Sequence, residues 1–272
     1  MRFLRLGTVI AFIAALLLLG YTCFVVSKRD TSAPVITDNV GELHLESTQG
    51  DHALLEGLTA KDDRDGDLTD KIMVERLSRF VEPGVCNVSY VVFDKSNNIG
   101  RYERKVVFDN YTPPRISLEK PLVYYEGNEV TFMDRLKLTH ALEGDISHKL
   151  KLEASNVDSS EVGVYEIQLR AVTLYGEEIY ARLPLNVIAY NAQAPVINLK
   201  QNLVYVKQGE PFNPKLYITD VKDCNKNDID ISVVYVFSQV DVSKPGYGQV
   251  RMEVTDSWGH KGVTYLTVIV EE

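Results

Sequence analysis

Three stretches of the chain alternate apolar and polar residues with a period of two. After Pro83-Gly84, Val88, Tyr90 and Val92 fall on one face and Asn87, Ser89 and Val91 on the other. After Gly163, Tyr165, Ile167, Leu169 and Ala171 alternate with Glu166, Gln168 and Arg170. After Gly246, Val250, Met252 and Val254 alternate with Arg251, Glu253 and Thr255. Such alternation, opened by a glycine turn and closed by a polar one, predicts a half-buried strand leading into a hairpin. The three glycines Gly84, Gly163 and Gly246 stand 79 and 83 residues apart. Prolines Pro34, Pro114 and Pro195, each with an isoleucine two residues on, stand 80 and 81 apart. Solenoid repeats run at about 20–50 residues, so this period marks whole domains in tandem.

Each unit carries the same landmarks. A glycine turn precedes apolar residues at Gly50, Gly127 and Gly209. An acidic glycine loop follows, Asp62 to Thr69 in the first unit, echoed by Glu143-Gly144-Asp145 and faintly by Asn227-Asp228-Ile229. A last strand closes each unit at Tyr102–Phe108, Ala181–Ile188 and Val263–Val270. Short strands with frequent turn signals, and no amphipathic helix among them, predict an all-β chain of three tandem immunoglobulin-like β-sandwiches, over 33–109, 113–189 and 194–272. The junctions at 109–113 and 190–193 are short and lack a Gly/Ser linker, so the sequence predicts a semi-rigid rod.

Ahead of the first unit, Gly7 to Val26 holds no charged residue. Twenty apolar residues suffice to cross about 30 Å of hydrocarbon, and no small-x-small cleavage site follows. The sequence therefore predicts a transmembrane signal-anchor helix over 7–26, a cytoplasmic tail over 1–6 and a stem over 27–32. The slight Lys/Arg bias puts the N-terminus inside and the body outside the cytoplasm. Cleavage, or lipidation at Cys23, is the competing reading, though Tyr21 and Thr22 stand where small residues are wanted.

These landmarks carry a resemblance. Ala33-Pro34-Val35-Ile36, Asp62 to Thr69, Pro83-Gly84, Val91-Val92-Phe93-Asp94 and Asn97-Asn98 together resemble the bacterial Ig-like domain family named after the Ig-like domain of a pesticidal crystal protein. Unit three keeps Ala194-Pro195-Val196-Ile197, Pro245-Gly246-Tyr247 and Val254-Thr255-Asp256 without the glycine-aspartate loop. Unit two keeps Glu143-Gly144-Asp145 and has Thr173 for the strand-end aspartate. The resemblance implies extracellular modules of bacterial surface proteins, mostly spacers or adhesive units, with no catalytic residues to carry over.

Charge and chemistry refine this picture. The chain has a net charge of −9; without Arg2, Arg5, Lys28, Arg29 and Asp30 it keeps 25 basic and 37 acidic residues, a net of −12. An acidic body offers no footprint for nucleic acid. Cys23, Cys86 and Cys224 fall in different segments and staple no single core; Cys86 replaces Tyr165 of unit two and reads as a small buried hydrophobe. No nucleophile elbow, phosphate loop or paired metal-ligand motif occurs, and His140 and His148 lack a third ligand, so no enzyme is expected. Four carboxylates, Asp63, Asp65, Asp67 and Asp70, form a candidate Ca²⁺ site, since hard oxygen donors at alternating positions suit that ion. The competing reading is a plain turn with Leu68 and Ile72 packed inward, which unit three supports by lacking the loop. Trp258, at a hairpin tip, and Tyr247 are candidate contacts for a sugar or protein, against a Trp258 folded back over a small core. The function expected is a membrane-anchored cell-surface rod, spacer or adhesin, with an extracytoplasmic binding module for wall carbohydrate or a protein partner as the alternative.

Overall fold

The computed structural model describes the backbone of residues 2–272; the side chains of 1–6, 8–10, 25–28 and 51 lie outside the described residues. Helix α1 runs Arg2–Lys28. Among the described residues no helix is long and apolar enough to cross a membrane. The membrane-spanning anchor expected over 7–26 is corrected accordingly. Within that stretch the side chains of 8–10, 25 and 26 lie outside the described residues. The expected tail over 1–6 lies outside the described side chains.

The chain forms two compact units, Met1–Asn110 and Tyr111–Glu272. The first contains one sandwich of seven strands: β1 Val35–Asp38, β2 Leu43–Leu45, β3 Leu58–Asp62, β4 Gly66–Asp67, β5 Met73–Leu77, β6 Val85–Phe93 and β7 Ile99–Phe108. One sheet has the order β1-β3-β4 and the other β2-β7-β6-β5. The chain thus starts in one sheet and crosses to the other, where β2 pairs parallel with β7 through Leu43↔Val106 and Leu45↔Phe108. The alternation on β6 sends Val88, Tyr90 and Val92 to the core, each fully buried. Cys86 is fully buried beside them, and burial pushes its thiol up to about 11, so it stays protonated at neutral pH.

This core is not wholly apolar. The Arg104 guanidinium lies 3.3 Å from Asp38 Oδ1, both side chains almost fully buried. Its remaining donors reach the Tyr90 hydroxyl at 3.1 Å and the carbonyls of Glu56 and Leu54 at 2.8 and 2.6 Å. A buried charge is tolerable only when paired and hydrogen-bonded in this way.

The second unit holds two further sandwiches of the same plan. The first of these has β8 Arg115–Leu118, β9 Val123–Tyr125, β10 Leu136–His140, β11 Gly144–Asp145, β12 Lys151–Ser155, β13 Gly163–Val172 and β14 Glu178–Ile188. Its sheets run β11-β10-β8 and β12-β13-β14-β9. The other has β15 Val196–Leu199, β16 Leu203–Lys207, β17 Ile218–Lys222, β18 Tyr235–Ser238, β19 Gly246–Thr255 and β20 Lys261–Glu271, in sheets β15-β17 and β16-β20-β19-β18. The parallel crossover recurs in β9 with β14 and in β16 with β20.

Sandwiches two and three are not beads joined only at their ends. Leu203 and Ile269 of the third are buried in the core of the second, with Tyr205 packed against it. The Tyr205 hydroxyl accepts from the Ile116 N–H at 2.8 Å and donates to the Ile116 carbonyl at 3.1 Å. It thereby occupies the free edge of β8, an edge that would otherwise expose unpaired backbone groups. Arg115 lies over the Tyr205 ring at 4.1 Å and pairs with Glu271 at 2.6 Å. Asn186 donates to Gln249 at 2.7 Å, and Asn202 to the carbonyl of Glu119 at 3.0 Å. The second and third sandwiches thus share apolar core.

Candidate functional site

Strands β3 and β6 belong to opposite sheets of the first sandwich, and their ends meet at one corner. The last residue of β3 is Asp62, and Asp94 directly follows β6. The segment leaving α1 lays Asp30 over the same corner. One carboxylate oxygen from each of Asp30, Asp62 and Asp94 lies within 4.8 Å of the others. The three residues are 8, 9 and 5 % exposed.

Local hydrogen bonds fix the orientation of each. Asp62 Oδ1 accepts the N–H groups of Arg64 and Asp65, both at 2.9 Å, the turn that a strand-end aspartate makes. Asp94 accepts the Asn98 N–H at 2.7 Å and its Nδ2 at 2.6 Å, and Asn98 Nδ2 also donates to the Asp30 carbonyl at 3.2 Å. Asp30 Oδ1 accepts the Ser32 N–H at 3.0 Å. Asp62 Oδ2 is buried without a partner among the described residues. The Arg64 guanidinium, half-exposed, stands 3.7 Å from Asp30 Oδ2.

The equivalent corners of the other sandwiches are closed by their own side chains. In the second, His140 stands for Asp62 and Thr173 for Asp94. His140 Nδ1 accepts the Glu143 N–H at 3.2 Å, so Nε2 carries the proton and donates to Glu177 at 3.1 Å. The Tyr111 hydroxyl also donates to Glu177, and burial together with that carboxylate pushes its pKa up. In the third, Asp223 accepts the N–H of Asn225 and Asn227, both at 2.8 Å, and the Asn227 side chain at 2.9 Å. Asp256 accepts the N–H of Trp258 and His260 at 2.9 and 2.8 Å, and His260 Nδ1 lies 3.0 Å from it. The hydrogen bonds from Asn227 and neighbouring amides, working against the cost of desolvation, hold Asp223 below the usual carboxylate range.

The residues singled out in the sequence lie elsewhere. Asp65 is tied to Lys95, by its N–H at 2.7 Å and its ammonium at 3.0 Å. Asp67 accepts the Thr69 N–H at 2.9 Å, and Asp63 and Asp70 are exposed. Leu68 and Ile72 are buried, as the turn reading requires. The metal-competent carboxylate group among the described residues is Asp30, Asp62 and Asp94, and none of Asp63, Asp65, Asp67 or Asp70 is in it. In the sequence Asp62 opens the acidic glycine loop and Asp94 is the strand-end aspartate, while Asp30 is only a flanking charge. Trp258 is 57 % exposed, so it does not fold back over the core. Tyr247 donates to the Tyr180 carbonyl at 2.5 Å between sandwiches two and three. It stands at the opposite end of β19 from Trp258, about 30 Å away at 3.3 Å per residue, so the two share no contact surface.

No family model matches the chain. It is 28 % identical over 225 residues to the pesticidal crystal protein Cry22Aa of Bacillus thuringiensis, a match covering 78 % of this chain and 29 % of that protein. The match is a distant similarity, and the chain spans less than a third of that relative's length. Among solved structures, Drosophila N-cadherin EC1-3 matches at 12 % identity over 88 % of this chain and 99 % of that one, with a TM-score of 0.30. The M60 catalytic domain with the CBM51-1 and CBM51-2 domains of Clostridium perfringens ZmpB matches at 14 % identity over 87 % of this chain and 30 % of that one, with a TM-score of 0.25.

Proposed function

We propose that the chain is a non-catalytic cell-surface protein whose β-units lie outside the cytoplasm and act as a structural spacer or adhesive body. The observation that supports this most is one sandwich plan built three times, with two copies welded through Leu203, Tyr205 and Ile269. Repetition of a framework extends and stiffens a surface module. Proteinase K added to intact cells should remove the β-units while a cytoplasmic marker survives. Full protection until the cells are lysed would overturn the reading.

A second reading rests on one residue. Trp258 presents a large aromatic surface at the hairpin between β19 and β20, and an exposed aromatic suits a sugar face or a protein partner. Retention of the chain on purified wall polysaccharide, lost in Trp258→Ala, would make it a binding module. Equal flow-through of both leaves the spacer reading standing.

A further inference from the structure

We propose that Asp30, Asp62 and Asp94 bind a hard divalent cation, Ca²⁺ before Mg²⁺, which fastens the segment leaving α1 to the corner of the first sandwich. The spacing fits: donor oxygens at 2.3–2.6 Å from one Ca²⁺ lie no more than about 5 Å apart, and these three lie within 4.8 Å of one another. The donors are all oxygen, the set that favours calcium, magnesium or manganese over zinc.

Asp62 Oδ2 gives an independent sign of what is missing. It is buried with no hydrogen-bond partner among the described residues, although its sister oxygen takes two N–H groups. A buried acceptor left unmatched is costly and rare in folded proteins. Among the described residues the local charge is unbalanced as well, with three carboxylates facing one half-exposed guanidinium at 3.7 Å. Like charges held this close destabilise the fold unless a cation offsets them. The other two corners need none: His140 and Glu177 complete one, and Asn227 with His260 saturates the other.

Such a site also gives the chain a joint. Asp30 comes from the segment after α1, Asp62 from one sheet and Asp94 from the other, so a shared cation draws three separate pieces together. Extracellular modules bind calcium at about 0.1–1 mM. With Kd near 0.1 mM, 1 mM CaCl2 should raise the melting temperature of the first sandwich by roughly 5–10 °C.

The test is calorimetric titration of the full chain with CaCl2 and with MgCl2, together with melting in 1 mM CaCl2 and in EDTA. One equivalent of calcium and a raised melting temperature are expected. Asp62→Asn should weaken calcium binding at least 10-fold, yet melt in EDTA no lower than the unmodified chain, because it relieves the crowding of charge. Asp30→Asn, which keeps the Ser32 contact, serves as the second variant and should weaken binding similarly. Asp67→Asn should bind as the unmodified chain does. Neither heat nor a melting shift at 5 mM calcium would overturn the proposal. So would binding that survives both corner variants, or binding lost in Asp67→Asn.

Discussion

At the scale of single residues, the first sandwich differs from the other two at its centre. The register that pairs Val88 with Arg104 pairs Ile167 with Leu183 and Val250 with Leu266. Where sandwich one places Arg104, Tyr90 and Asp38, sandwich two therefore places Leu183, Leu169 and Leu118, and sandwich three Leu266, Met252 and Leu199. One plan accepts either a fully bonded ion pair or plain apolar packing. Removing one partner differs from removing both. Arg104→Met strands Asp38 in the core and should cost about 3–5 kcal/mol, while Asp38→Leu with Arg104→Leu should cost clearly less than the sum of the single changes. Chemical denaturation of the four proteins checks this; strict additivity would contradict it. Burial opposes the Asp38 charge, but the N–H groups of Val40 and Gly41, with Arg104 and Tyr102, outweigh it and hold its pKa below the ordinary value. A depressed carboxylate gives stability that is present above the unfolded pKa near 4 and lost as pH falls through the folded value. Melting of unit one between pH 7 and 2 should therefore fall less steeply in Asp38→Asn. Period two alone put Arg104 on the inward face of β7, so its burial was legible. Its partner, far away in sequence, was not. The same distance hid the carboxylate corner: Asp30, Asp62 and Asp94 come from three segments 32 residues apart, and no local motif spans them. The dense run at 63–70 drew attention because it is local, yet residues around a tight turn point in different directions.

At the scale of elements, the hairpins trade volume across their strands. Val92 pairs with Gly100 in sandwich one and Val254 with Gly262 in sandwich three; in sandwich two the same place holds Ala171 with Ile179. The glycines are required. A Cβ on Gly262 would sit 1.9 Å from the Pro195 carbonyl oxygen, and one on Gly100 would sit 2.0 Å from that of Pro34. Backbone has to move to admit it. Gly262→Ala should lower stability by about 1–3 kcal/mol, as overpacked sites do, measurable as an earlier urea midpoint. The strand pattern foretold most of these elements and missed one property of β20. Its second half, Leu266 to Val270, is buried at every position. Strict alternation lapses there into a continuous run, Leu266-Thr267-Val268-Ile269-Val270, which is how a strand covered on both faces reads. That run was the available sign that something packs on the outer face of the sheet.

For the second unit as a whole, the shared core makes two sandwiches one cooperative body. The fragment 111–272 should unfold in a single calorimetric transition whose enthalpy matches its van't Hoff value; two resolved transitions would show the sandwiches to be independent. Tyr205 holds the seam. Burial pushes its phenol up to about 12, and it stays a hydroxyl across the ordinary pH range. Tyr205→Phe leaves the Ile116 N–H and carbonyl unmatched at the edge of β8 and should cost about 1–3 kcal/mol, read from the same transition. The parallel crossover carries a different consequence, for a chain under tension. In every sandwich the short second strand lies alongside the last and points the same way. Pulling the two ends of a sandwich apart slides these strands past each other, so all the bonds between them bear load at once instead of parting one by one. Three residue pairs share that load in the first sandwich and three in the second, against five in the third, from Leu203↔Thr267 to Lys207↔Glu271. Under steady force the third sandwich should be the last to shear.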